Sequence, residues 1–154
     1  MPGHLDLLPM LLDHVTPGGW LAFQVPGNFD EPSHQLLHEL ADEDRFAEFT
    51  AGRERPDAYD AATYLGDLTA LGCTVNAWET TYLHVLTGPD PVFRWISGTG
   101  ARPVLQALPA ELREQFSAEY KRRLLAAYPQ QPYGTLLPFR RIFVVARRPA
   151  EVAG

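Results

Sequence analysis

Apolar residues recur along this chain with two periods, and the alternation between them predicts an α/β layout. Leu5, Leu8, Leu11, Leu12 and Val15 keep an i, i+3, i+4 spacing, which gathers them on one face of a helix. Thr16-Pro17-Gly18-Gly19 stops that helix and turns the chain into Trp20–Val25, a run that is almost wholly apolar. A strand apolar on both faces belongs in the middle of a layered sheet with helices on each side. Polar Gln24 and Asn28 stand at its C-terminal end, where such sheets build their sites.

The rest of the chain continues the alternation. Asp30-Glu31-Pro32 is a helix start, with an acid at the N-cap and proline in the first turn, and Leu36, Leu37 and Leu40 form the apolar stripe that follows. Residues 41–56 are charged and mobile-looking, and regular structure is not assigned to all of them; Asp42-Glu43-Asp44 reads as a solvated run. A helix over about Tyr59–Leu71 ends at Gly72. Thr74–Leu86 alternates as a long strand, its odd positions Val75, Ala77, Leu83 and Val85 expected in the core. The even positions, Asn76, Trp78, Thr80, Tyr82 and His84, form a polar and aromatic surface suited to a pocket wall. Short helical stretches follow at Asp90–Ile96 and Arg102–Leu108, divided by Gly98-Thr99-Gly100. Glu111–Tyr128 is the clearest helix, with Leu112, Phe116, Tyr120, Leu124 and Tyr128 at steps of four, and Phe139–Arg147 is the last strand. The expectation is one domain over 1–154 with three strands and a helical insertion over about 89–130.

Composition narrows the function classes. A formal charge of −6 on 154 residues argues against a general nucleic-acid binder. No apolar run approaches the ~20 residues of a membrane span, and Met1-Pro2-Gly3-His4 lacks the regions of a signal peptide. One cysteine, Cys73, makes no internal disulfide and points to a cytoplasmic chain; it reads as a small buried apolar residue. His34 and His38 lie four apart on a helix, but no third metal ligand stands at motif spacing, so both are expected on a solvated face.

Leu12–Leu21, a helix leading into Thr-Pro-Gly-Gly-Trp-Leu, resembles the lead into the fifth strand of class I S-adenosylmethionine-dependent methyltransferases. Further stretches resemble one family of that class, the trans-aconitate 2-methyltransferases. They are Phe23–Asn28 with Glu31–His34, Leu71-Gly72-Cys73 with Trp78–Tyr82, Trp95–Thr99 with Ala101–Leu105, and Arg141–Arg148. The resemblance covers essentially the whole chain. Members carry, ahead of this region, a Gly-rich loop of Asp-x-Gly-x-Gly type and an acid for the cofactor ribose; residues 1–154 contain neither. Gly98-Thr99-Gly100 follows a helix rather than a strand and is no substitute. The resemblance therefore implies the C-terminal half of a Rossmann-like sheet, its last strand antiparallel, with the helical insertion as a substrate cap. S-adenosylmethionine is the implied cofactor, and its main binding loop lies outside this chain.

The implied reaction is methyl transfer to a carboxylate of a small polycarboxylate. That nucleophile is already ionised at pH 7, so no catalytic base is assigned. What the reaction needs is in-line placement and cations for a polyanion, preferably arginine, within an aromatic pocket. The candidate substrate-binding residues are Arg102, Arg141, Trp95, Tyr82, Gln24 and Asn28, with Arg140 on the opposite face of its strand from Arg141. The chain alone is expected to be inactive. Two other readings stay open: a non-catalytic remnant that self-associates through an exposed strand edge, and a related methyltransferase with another small acceptor. With the fold's usual strand order, Trp20–Val25 is expected to pair on one edge only, with the last strand.

Overall fold

The structure is a computed structural model that describes residues 4–53, 55 and 59–150. A short 3-10 turn, His4–Asp6, leads into α1 (Leu7–Asp13), β1 (Trp20–Pro26), α2 (Pro32–Ala41), α3 (Asp44–Thr50) and α4 (Ala61–Ala70). Then come β2 (Thr74–Leu86), α5 (Pro91–Ser97), α6 (Arg102–Ala107), α7 (Ala110–Ala127), β3 (Gln130–Gln131) and β4 (Gly134–Arg147). The sheet runs β1-β4-β2, with β3 paired to β4. β1 is antiparallel to β4, Trp20 opposite Arg147 and Pro26 opposite Arg141. Among the described residues β1 ends the strand order and pairs with β4 alone, as expected.

The chain divides into two compact units. The first holds Met1–Asn28, Pro56–Tyr82 and Phe139–Gly154. Its core joins Leu8 and Leu12 of α1, Tyr64 and Leu68 of α4, and Ile142, Val144 and Ala146 of β4. Leu21, Phe23 and Val25 of β1 and Val75 and Ala77 of β2 pack against it. Phe23 meets the edge of Tyr64 at 5.5 Å. The helix ends are closed locally. Gly72 takes φ +85°, the left-handed geometry of a helix C-terminus, while Cys73 N–H bonds back to the Leu68 carbonyl at 3.0 Å. Arg148 donates to the carbonyls of Leu12 and Val15 at 2.7 and 2.6 Å, satisfying groups left open where α1 stops.

β1 corrects one expectation. Only its odd residues are covered; Trp20, Ala22, Gln24 and Pro26 are exposed, Trp20 to 62%. On β4 and β2 the same face carries Phe143 and Trp78, which stack at 5.4 Å and 9°. The sheet of this unit is therefore layered on one side among the described residues.

The second unit holds Phe29–Arg55 and Leu83–Pro138. α7 is its axis, burying Phe116, Tyr120, Leu124 and Tyr128 against Leu37 and Leu40 of α2, Val92 and Ile96 of α5, and Val104 of α6. Two features here go beyond the expectation. The charged run holds a helix, α3, anchored by Phe46, which is fully buried and edge-on to Phe116 at 5.0 Å. Asp42 and Asp44 are exposed, as expected of a solvated run, while Glu43 bonds Arg123 of α7 and Arg45, and Asp42 takes Arg55 at 2.6 Å. Glu54 and Pro56, at the end of that run, lie outside the described residues. The sheet also has a fourth strand, β3, whose hairpin with β4 pairs Gln130 with Thr135. Pro138 suggests a break in the sequence, yet β4 runs through it from Gly134.

β2 departs from strict alternation. Val75 and Ala77 face the first core, but Leu83 and Val85 are 64% and 51% exposed while Leu86 packs on the second core. Trp78 and Glu79 are exposed in succession, which shifts the phase of burial along the strand. The two ends of β2 serve different cores, so one alternation cannot describe both.

Candidate functional site

The C-terminal end of β1 is held by β4. Gly27 N–H bonds the Arg140 carbonyl at 2.9 Å, and Arg140 Nε returns a bond to the Gly27 carbonyl at 2.8 Å. Asn28 is buried, and its Oδ1 accepts from Arg140 N–H at 2.5 Å. The Arg140 guanidinium also reaches Glu79 of β2 at 3.3 Å. Arg140 thus fixes the loop that leaves β1. Arg141 projects on the other face, where it donates to Gln24 Oε1 and lies 5.0 Å from the Phe139 ring. Gln24 and Arg141 are brought together, as are Asn28 and Arg140. Tyr82 is exposed at the end of the β2 segment in this unit.

Trp95 and Arg102 belong to the second unit. Trp95 lies on α5, 40% exposed, with its ring 4.9 Å from His84. Arg102 is the first residue of α6 and exposed; its N–H donates to the Thr99 carbonyl at 3.2 Å, and its side chain makes no ion pair or hydrogen bond among the described residues. The turn before it rests on His34. A Cβ on Gly100 would come within 2.9 Å of His34 Nε2, so the imidazole occupies the space a side chain there would need.

His34 is the residue that sequence reasoning misplaced. It is half-buried rather than solvated, edge-on to Phe29 at 5.4 Å, with Nδ1 3.3 Å from Ser33 Oγ. Burial lowers its pKa, neighbouring His38 adds to the effect, and Asp30 opposes it. The first turn of α2 that carries it has an unusual cap. Glu31 makes no side-chain cap, and Pro32 has no N–H to satisfy. The Ser33 N–H instead donates to the Tyr128 hydroxyl at 3.1 Å, and the Tyr120 hydroxyl donates to the Ser33 carbonyl at 2.6 Å. Tyr128, just past the end of α7, does the work of an N-cap from 95 residues away, and Tyr120 of α7 adds a bond to the carbonyl of the same serine. Burial raises the Tyr120 pKa further, so its hydroxyl stays protonated and able to donate.

The loop that leaves β1 does not offer a cradle for S-adenosylmethionine. Gly27, in the loop after β1, has its carbonyl taken by Arg140, and a Cβ there would lie 3.1 Å from Arg140 Nε. The loop is filled by the chain's own side chain.

Fold and strand order are consistent with the C-terminal part of a class I methyltransferase. No family model matches the chain. Over 152 residues, 97% of its length, it is 53% identical to the trans-aconitate 2-methyltransferase of Streptomyces avermitilis. It is 54% identical over 155 residues to that of Streptomyces coelicolor, and 48% over 151 to that of Mycolicibacterium gilvum. The chain is similar over nearly its whole length to the C-terminal portion of these relatives and spans about half their length, 50–59%.

Proposed function

We propose that this chain is the acceptor-binding portion of an S-adenosylmethionine-dependent methyltransferase whose substrate is a small polycarboxylate. The observation that carries this reading is Arg102: an exposed guanidinium at the start of a helix, with no acid of its own among the described residues. Most arginines of the chain are spent internally, on acids, on carbonyls or, for Arg141, on Gln24. A planar guanidinium left open takes a carboxylate by two parallel hydrogen bonds, the recognition a polycarboxylate calls for. Trp95, half-exposed on the preceding helix, supplies apolar surface for the acceptor's carbon skeleton. The names of the relatives point to trans-aconitate as the compound to try first.

Calorimetric titration of the chain with trans-aconitate tests this. Arg102→Ala is expected to weaken binding by about tenfold or more, the loss of one charge-assisted pair. Arg94, exposed on α5 and also without an ion pair among the described residues, is the control. Arg94→Ala removes the same charge and is expected to leave binding within about twofold. Equal effects of the two substitutions would reduce the role of Arg102 to net charge, and no effect of either would remove it from the site. S-adenosylmethionine is expected to bind this chain no more tightly than about millimolar; micromolar binding would contradict the division of labour proposed.

A further inference from the structure

The turn that leads to Arg102 is held closely by its own backbone. The Ile96 carbonyl of α5 accepts from the N–H groups of Thr99 and Ala101, at 3.1 and 3.0 Å. Ala101 is fully buried, and its carbonyl accepts from Leu105 N–H at 3.0 Å. Just beyond Arg102, the Pro103 carbonyl accepts from the Arg53 guanidinium. The Arg102 side chain has no such tie among the described residues, so where its guanidinium stands depends on the backbone that carries it.

Two glycines stand in this turn, and they differ. A Cβ on Gly98 would meet nothing within 4 Å, whereas one on Gly100 would lie 2.9 Å from His34 Nε2 and 3.5 Å from its Cδ2. Gly100 does not take a positive φ, so the conformation there is open to other residues. What its missing side chain provides is room for the edge of the imidazole. The ring is itself seated. Phe29 meets it edge-on at 5.4 Å, Ser33 Oγ lies 3.3 Å from Nδ1, and the Ser33 backbone is tied to Tyr128 and Tyr120. Every residue of this arrangement belongs to the second unit.

We propose that His34 is a positioning residue for acceptor binding: its imidazole edge, seated against Gly100, sets the turn that presents the Arg102 guanidinium to a carboxylate. This rests on the acceptor-binding role given to Arg102 above. His34 acts through Arg102 and not by touching the acceptor.

NMR titration of the intact chain with trans-aconitate tests the proposal, since it follows affinities into the millimolar range. His34→Ala removes the ring, and Gly100→Ala pushes it from its seat. Each is expected to weaken binding about threefold or more, and the two together no further than the weaker single variant, because they break one contact. Gly98→Ala, in the same turn but facing open space, is the control and should stay within about twofold. If His34→Ala does not fold, Gly100→Ala reads the same contact. Both substitutions are then repeated on Arg102→Ala. A residue that acts through Arg102 has nothing left to act on there, so each should change affinity by less than about twofold. Lost stability, or direct contact with the acceptor, would lower affinity in that background as before. Equal losses in both backgrounds, additive losses from positions 34 and 100, or an equal loss from Gly98→Ala would each overturn the proposal. So would binding indifferent to His34→Ala and Gly100→Ala while Arg102→Ala weakens it, a result that leaves the role of Arg102 standing. No effect of Arg102→Ala would remove that role and this inference with it.

Discussion

The tyrosine cap on α2 makes a prediction whose sign is set by counting hydrogens and lone pairs. Tyr120→Phe and Tyr128→Phe each delete one buried hydroxyl and leave the ring in place, so packing against Phe93 and Phe116 is kept at position 120. The two losses differ at Ser33. Its carbonyl has two lone pairs, and within a helix one of them accepts from the amide four residues on, so removing the Tyr120 bond leaves the oxygen partnered. Its N–H has a single hydrogen and, at the second position of the helix, no intrahelical acceptor. Removing the Tyr128 hydroxyl strands that donor in a buried place. Loss of a net hydrogen bond costs about 0.5–1.5 kcal/mol, whereas stranding a buried donor costs about 1–3 kcal/mol. Tyr128→Phe should therefore destabilise more than Tyr120→Phe, although Tyr120 is the more deeply buried. Urea unfolding followed by circular dichroism, with both variants and the parent showing the same dependence on denaturant, gives the two values. A larger loss at position 120 would refute the capping account, because burial alone would then rank the pair.

Three further predictions rest on the same geometry. The His34 pKa is lowered by burial, so the unfolded chain holds the proton more tightly; stability should fall as pH drops through the ordinary histidine value near 6.5 and on through the folded one. Replacing His34 by Gln should flatten that part of the profile, and an unchanged slope would place the imidazole in water. Arg122 and Arg123 lower the Glu119 pKa to about 2, so this carboxylate's contribution should be intact above pH 4.5 and disappear only as pH falls through about 2; carbon-detected NMR titration reads it directly, and a midpoint near 4.5 would dissolve the cluster. Gly100→Ala should displace the His34 ring and so shift its NMR titration, since the new methyl would overlap Nε2; an unmoved resonance would show the turn yielding instead.

Much of the fold was legible because most elements have a local cause. Trp20–Pro26 and Thr74–Leu86 carry the residues that favour strands, and α7 repeats an aromatic or leucine every fourth position. The failures share a different cause. α3 has a single fully buried anchor, Phe46, and the Glu43 before it finds its partner on α7, which no window of neighbouring residues reveals. β2 changes the phase of its burial because its ends meet two cores, and period-two reasoning assumes one. His34 looks like a surface histidine until Gly100, sixty-six residues later, is seen to leave room for it. The capping tyrosines read from sequence as core aromatics, which they are; only their hydroxyls carry the further role. A serine following Glu-Pro, in a helix whose N-cap has no good side-chain acceptor, is the one local sign that an outside hydroxyl is needed.

The arginines show how the structure sharpens a choice that composition leaves open. Arg140 and Arg141 are adjacent, and strand periodicity alone sends them to opposite faces without ranking them. Arg140 is held by the Gly27 carbonyl and Glu79, so its charge is already balanced and its position fixes the end of β1. Arg141 meets a neutral amide and an aromatic face, and no acid offsets its charge among the described residues. Arg102 has neither. A carboxylate gains most from a cation whose charge is least neutralised, and loses least desolvation at one already exposed. The order of expected response to a carboxylate is therefore Arg102, then Arg141, then Arg140. It is an order that single substitutions can reverse: if Arg140→Ala weakened acceptor binding without disturbing the Asn28 loop, the internal ion pair would not be what decides which arginine is available.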